Sequence, residues 1–183
     1  MSSNKVCPVE HAGVLDTNFR KLFHNPKKIL KPFISEGMTV LDLGCGPGFF
    51  TIEMAKLVGN SGKVIAADLQ QEMLDKLKKK VENTNLSNRI KLHKCQEDKI
   101  SLSEKVDLIL VFYMLHEVPN QLTFLQELKT FLKPNGKIFI VEPKFHVSKK
   151  DFQKSINMIK QSGFEIIEEP KVFFSKSVII KIN

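Results

Sequence analysis

The stretch Val40-Leu41-Asp42-Leu43-Gly44-Cys45-Gly46-Pro47-Gly48-Phe49 decides the reading of this chain. A short apolar run interrupted by one carboxylate reads as a buried strand. Three glycines two residues apart then give the backbone access to positive φ and let another group approach it closely. The next residues, FFTIEMAKLVG, have helical spacing and end on Gly59. A strand, a glycine loop and a helix in that order place the loop at the carboxyl end of a strand, where open α/β sheets bind ligands. The start of the helix adds unpaired N–H groups.

Outward from this unit the pattern alternates. KVIAADL, RIKLHKC, VDLILVF and KIFIVEP read as strands, and QEMLDKLKKKVENTN, NQLTFLQELKTFLK and KKDFQKSINMIKQSG read as helices. Asn83 to Asn85, Pro134-Asn135-Gly136 and Gly163 close those helices. Upstream, Asn25-Pro26 reads as cap and first residue of a helix that Pro32 ends, and a short helix is expected around Asp16 to His24. Continuous apolar strands separated by helices indicate a parallel sheet covered on both faces. FEIIEEP and VFFSKSVIIKI have no helix between them, so they form an antiparallel hairpin at one end of the sheet. The expected fold is a Rossmann-like α/β one: a sheet of seven mostly parallel strands with helices on both faces and an antiparallel hairpin at one end.

Two cofactor classes use such a loop. A dinucleotide needs G-x-G-x-x-G to seat its pyrophosphate. Here Gly44, Gly46 and Gly48 give G-x-G-x-G, and Phe49 stands where the third dinucleotide glycine belongs. Asp42, two residues before the first glycine, would repel a pyrophosphate and suits a ligand with an ammonium group. Asp68, at the end of KVIAADL, can accept both hydroxyls of a ribose. S-adenosylmethionine fits this charge pattern, with an ammonium, a sulfonium and a ribose but no phosphate.

At these residues the chain resembles the class I S-adenosylmethionine-dependent methyltransferases, and within them the small-molecule branch of ubiquinone/menaquinone biosynthesis. The likeness is carried by VLDLGCGPG, VIAADLQQEML, VDLILVFYMLHEV and LKPNGKIFIVEP and runs from about Pro26 to the C-terminus. It implies the strand order 3-2-1-4-5-7-6 with strand 7 antiparallel, that Asp42, Gly44, Cys45, Gly46 and Gly48 line the methionine part, that Asp68 binds the ribose and that Leu69 lies against the adenine. Many members carry an Asp after the third strand to meet the adenine amino edge. This chain has Cys95-Gln96-Glu97-Asp98 there, so Gln96 or Glu97 is the expected contact and Cys95 reads as a small buried residue. The resemblance also turns the end of the fourth strand, Phe112 to Glu117, toward the transferred methyl, with Phe112 beside the cofactor.

Because the donor is already activated, the enzyme's main task is to position a nucleophile in line. A base is needed only for an acceptor that must lose a proton. His116 is the titratable group best placed for that role, with a structural histidine in the turn before Pro119 as the alternative reading. Tyr113, the only tyrosine, is a second catalytic candidate and reads more readily as a pocket wall or cofactor contact. Neither an Asn/Asp-Pro-Pro-aromatic motif nor a Pro-Cys nucleophile is present, which argues against methylation of nucleobases. Cys7 and His11 share one helical face at most and lack further ligands for a metal, and a Cys7-Cys45-Cys95 trio is improbable with Cys45 inside the glycine loop. No metal is expected.

The chain has 183 residues, which suits one domain, residues 26–183. Residues 1–25, with Phe19, Leu22 and Phe23, are the expected cover of the active site, because no insertion elsewhere is long enough to cap it. The net charge is +8, but 26 of the 28 basic residues are lysine. Nucleic-acid readers lean on arginine for bidentate contacts, so nucleic acid is an unlikely partner and a small molecule the expected one. Three scattered cysteines, no bilayer-length apolar run and no apolar leader point to the cytoplasm. The rivals are an NAD(P)-dependent oxidoreductase and a cofactor-binding accessory protein without turnover. Composition leaves the oligomeric state open.

Overall fold

Asn25 opens the first helix: its side chain accepts the Lys28 N–H, and Pro26 takes the first helical position, where a missing N–H costs nothing. This helix, α1, spans Pro26–Leu30 and ends before Pro32. The computed structural model describes residues 24–183. The expected helix at Asp16 to His24, and Cys7, His11, Phe19, Leu22 and Phe23, lie outside the described residues, His24 excepted.

The strands follow in the expected sequence: β1 (Thr39–Leu43), β2 (Lys63–Asp68), β3 (Ile90–Lys94), β4 (Val106–Phe112), β5 (Leu132–Pro143), β6 (Phe164–Glu168) and β7 (Ser175–Ile182). Between them lie α2 (Thr51–Leu57), α3 (Gln71–Val81), α4 (Gln121–Phe131) and α5 (Lys149–Gln161). All seven strands form one sheet in the order β3-β2-β1-β4-β5-β7-β6. The first five are parallel, and β7 lies between β5 and β6, antiparallel to both. The chain leaves β1 toward β2 and β3, then crosses without a helix to β4 on the other side of β1. This reversal puts the topological switch point at the carboxyl ends of β1 and β4.

Alternation along each strand sends residues to two cores. Ile109 and Val111 of β4 join Leu125, Leu128, Ile156 and Ile159 of α4 and α5. Leu108, Leu110 and Phe112 join Leu30 of α1 and Met54 and Ala55 of α2. A third, smaller cluster seats Leu74, Leu77 and Val81 of α3 against Ala66 and Cys45. β4 is thus apolar on both faces because both are covered.

Two boundaries differ from the expected ones. Pro134-Asn135-Gly136 does not separate helix from strand: β5 begins at Leu132, directly after α4, and absorbs the turn as an irregularity in its pairing with β4. Asn135 takes φ +66°, a conformation asparagine tolerates. The last strand begins at Ser175 and not at Val172, because Phe174 takes φ +48° and turns the chain into the sheet. No helix among the described residues is long and apolar enough to cross a membrane.

Candidate functional site

The glycine loop is held by β2. Gly44 and Cys45 both donate their N–H to the Ala67 carbonyl, and Gly46 donates to Asp68 Oδ2 at 2.8 Å. Asp68 Oδ1 accepts the Gln70 N–H, also at 2.8 Å. The carboxylate at the end of β2 therefore joins the loop to the start of α3 and keeps further lone pairs for a ligand's hydroxyls. Burial raises its pKa, and its backbone hydrogen bonds oppose that shift.

The three glycines do different work. All have positive φ. A Cβ on Gly44 would lie 3.0 Å from Met114 Sδ, and one on Gly48 would lie 2.4 Å from Leu77 Cδ1. A Cβ on Gly46 would meet nothing within 4 Å. Gly48 is thus required for packing against α3, whereas a Cβ on Gly46 would face open space.

Asp42 points to the α2 face and is 3% exposed; it accepts the Thr51 hydroxyl at 2.5 Å. Cys45 is buried, and its thiol donates to the Gly46 carbonyl. Burial first, and then Asp42 and Asp68, push the pKa of that thiol up, so it stays neutral. Cys95 is buried too and is pushed up to about 12, chiefly by burial. Leu69 is half-buried against the α4/α5 core. Gln96 and Glu97 are exposed, and the Gln96 N–H donates to the Lys99 carbonyl, closing the 96–99 turn.

At the end of β4, Phe112 packs on Phe50 with ring centroids 4.3 Å apart and on Tyr113 at 4.4 Å. Tyr113 has φ +59°, an uncommon conformation for a bulky residue and one that concentrates at functional sites. Its hydroxyl lies 2.6 Å from Ser175 Oγ and 3.0 Å from His24 Nε2. Ser175 Oγ donates to the Phe173 carbonyl, and His24 Nε2 lies 3.1 Å from the same oxygen. Tyr113 thereby ties β4 to the start of β7 and to the first described residue. Phe145, 70% exposed, stands edge-on to Tyr113, and Phe174 is exposed close by, its carbonyl accepting the Lys144 N–H.

His116 lies in the short 3-10 turn Leu115–Glu117. Its Nδ1 is 2.6 Å from Glu142 Oε2. Glu142 is 1% exposed, and its other oxygen accepts the Leu115 N–H at 3.0 Å. The hydrogen bond from Glu142 raises the pKa of His116; burial opposes it. Burial raises the pKa of Glu117 beside it. His146 stands 6.0 Å away, ring to ring. Sequence reasoning passed over Glu142 and Thr51. A lone acid closing the apolar run Ile138 to Val141 was the available signal for Glu142, since such a strand end has to find the carboxylate a donor.

Comparison with known proteins agrees with this fold. A family model described as a methyltransferase domain matches residues 34–172. A demethylmenaquinone methyltransferase of Lactobacillus johnsonii is 39% identical over 120 residues, 63% of this chain and 48% of the relative, so the chain spans about half the length of that protein. A SAM-dependent methyltransferase of Aquifex aeolicus has a solved structure that superimposes with a TM-score of 0.86 at 31% identity, covering 96% of this chain and 98% of that one. Aeropyrum pernix fibrillarin, solved with natively bound S-adenosyl-L-methionine, shares the fold at 17% identity and a TM-score of 0.66, covering 84% of this chain and 72% of its own. With its 3-2-1-4-5-7-6 sheet and its glycine loop, the chain belongs to the methyltransferase-domain family, whose cofactor is S-adenosylmethionine.

Proposed function

We propose that this chain methylates a small hydroxylated aromatic ring, a quinol, the reduced form of the quinone class that its demethylmenaquinone methyltransferase relative is named for. The observation that carries the reading is the join of two halves at the switch point. The glycine loop with Gly46 and Asp68 lies on one side, and on the other lie the rings of Tyr113 and Phe145, with His146 between Phe145 and His116. Aromatic rings beside an imidazole favour a flat aromatic acceptor that packs against them.

When bound, the cofactor supplies a methyl group on a sulfonium. The chain's own residues do the rest. Asp68 receives the ribose hydroxyls on its remaining lone pairs. Gly44, Cys45, Gly46 and Gly48 shape the bed for the methionine part, and Asp42, fixed by Thr51, keeps a negative charge beneath the loop for the ammonium. Leu69 and the 96–97 turn flank the adenine. Phe112 backs the site, Tyr113 forms the wall toward the acceptor, and His116 takes the acceptor's proton.

Calorimetry with S-adenosylhomocysteine and, separately, NAD tests the cofactor half; equal binding of NAD would overturn it. Methyl transfer to a panel of naphthoquinols, catechols, amines and thiols tests the acceptor half. Turnover confined to thiols or amines would overturn the quinol reading, and no turnover with any acceptor would favour an accessory protein.

A further inference from the structure

We propose that Glu142 is the positioning residue of the site, holding His116 in a single tautomer so that Nε2 alone is presented as the base. The proposal rests on the methyl-transfer reading for its purpose but on separate observations for its substance. Glu142 is nearly inaccessible and has no lysine or arginine partner among the described residues. Both its oxygens are committed, one to the Leu115 N–H and one to His116 Nδ1. The Leu115 amide belongs to the same short turn as His116, so the carboxylate clamps the turn and orients the ring together.

A buried carboxylate accepts hydrogen bonds and cannot donate them. It therefore forces the proton of a neutral His116 onto Nδ1 and leaves the Nε2 lone pair bare. Among the described residues nothing hydrogen-bonds to Nε2. Glu142 arrives from β5, Glu117 from the histidine's own turn, and His146 from the chain after β5, so two carboxylates and one imidazole face the ring. Glu142 also stabilises the imidazolium once it forms.

This arrangement selects acceptors that carry a proton: a phenolic or enolic hydroxyl, or an aromatic carbon activated by one. The acceptor's proton passes to Nε2, the freed electron pair forms the new bond to the methyl carbon, and the pair of the broken carbon–sulfur bond stays on sulfur. A thiolate or a free amine would have no use for the clamp.

The test is a 15N NMR titration of the histidine ring nitrogens in the full chain, with His116 assigned by loss of its signals in His116→Gln. The wild-type protein is expected to show a neutral His116 protonated at Nδ1 and a pKa above the ordinary histidine value. In Glu142→Gln the pKa is expected to fall and the tautomer preference to be lost; Glu142→Asp should restore part of both. A wild-type His116 protonated at Nε2 overturns the proposal before any variant is made, as does an unchanged titration in a folded Glu142→Gln. Should Glu142→Gln not fold, Glu142→Asp and the wild-type tautomer decide. A second readout follows from turnover: Glu142→Gln should lower kcat by roughly 10²–10⁴-fold with little change in S-adenosylhomocysteine affinity, the range for losing a positioned base. If the titration succeeds and no acceptor is turned over, the clamp stands and the methyl-transfer reading is the part that fails.

Discussion

Asp68 Oδ2 accepts the N–H of Gly46 at 2.8 Å, so the carboxylate expected to hold the ribose also holds the loop that cradles it. The two tasks compete for one side chain. Replacing Asp68 removes an acceptor from the ligand and, at the same time, leaves the Gly46 and Gln70 amides without their partner.

Asp68→Ala should accordingly weaken S-adenosylhomocysteine binding by about 1.5–3 kcal/mol, the range for hydrogen bonds to charged groups. That is roughly a 10- to 150-fold rise in Kd, read by calorimetry. Binding should also weaken in mild acid. Burial raises the folded pKa of Asp68, so the charged acceptor is lost at a higher pH than for an ordinary aspartate. The sign for stability is separate: a carboxyl with a raised folded pKa is stabilising when protonated, and that contribution fades as pH rises through the folded value. Unchanged affinity in a folded Asp68→Ala would remove Asp68 from the ribose.

Gly46 and Gly48 should part company when each is changed to alanine. Gly48→Ala places a Cβ 2.4 Å from Leu77 Cδ1 at φ +91°, and overpacking of this kind costs about 1–3 kcal/mol. Its Tm should fall clearly. Gly46→Ala meets open space and bears only the positive-φ cost, about 1–2 kcal/mol. Its smaller loss of Tm should come with a larger loss of cofactor affinity. Equal effects of the two changes on Tm and on affinity would contradict the division of labour.

Cys45 and Cys95 should resist iodoacetamide at pH 8 until the chain unfolds, because burial keeps both thiols protonated. Peptide mapping of native and urea-unfolded protein would check this. Rapid labelling of Cys95 in the native protein would restore it as a reactive group.

The mostly parallel sheet and its terminal hairpin were legible because two signals coincide. Strands apolar on both faces require helical cover, and the gap between Glu168 and Ser175 admits no crossover helix. A candidate cofactor half was legible because Gly44, Gly46, Gly48, Asp42 and Asp68 sit at fixed offsets within two strand ends. The acceptor half was not, since it is assembled across the chain. Tyr113 meets Ser175, 62 positions away, and His24, 89 away; His116 meets Glu142, 26 away. Those contacts depend on the register of β4 with β5 and of β5 with β7, where Phe112 pairs with Val141 and Pro143 with Ser175. Local patterning carries no information on which side chains such a register brings together. The same applies to the start of β5, where a proline–asparagine–glycine turn was absorbed into a strand because β4 pairs with Leu132 before it and Lys137 after it.

His116→Ala should lower turnover of a hydroxylated acceptor by roughly 10²–10⁴-fold while leaving S-adenosylhomocysteine affinity unchanged, as expected for loss of a general base. The pH profile supplies the sign. The Glu142 hydrogen bond raises the histidine's pKa, so the catalytically competent neutral form accumulates only above that raised value. The rate of the wild-type enzyme should therefore fall as pH drops through a pKa above the ordinary 6.5, and this limb should vanish in His116→Ala. Stability runs the other way. A histidine whose folded pKa is raised contributes stability that is full below its unfolded value and is lost as pH rises through its folded one. Acid thus favours the His116–Glu142 ion pair and disfavours the reaction, and Tm and rate should move in opposite directions between mildly acidic and mildly alkaline buffer. A loss of turnover below tenfold, with the acid limb intact, would leave His116 as a structural member of its turn and positioning as the whole of the catalysis.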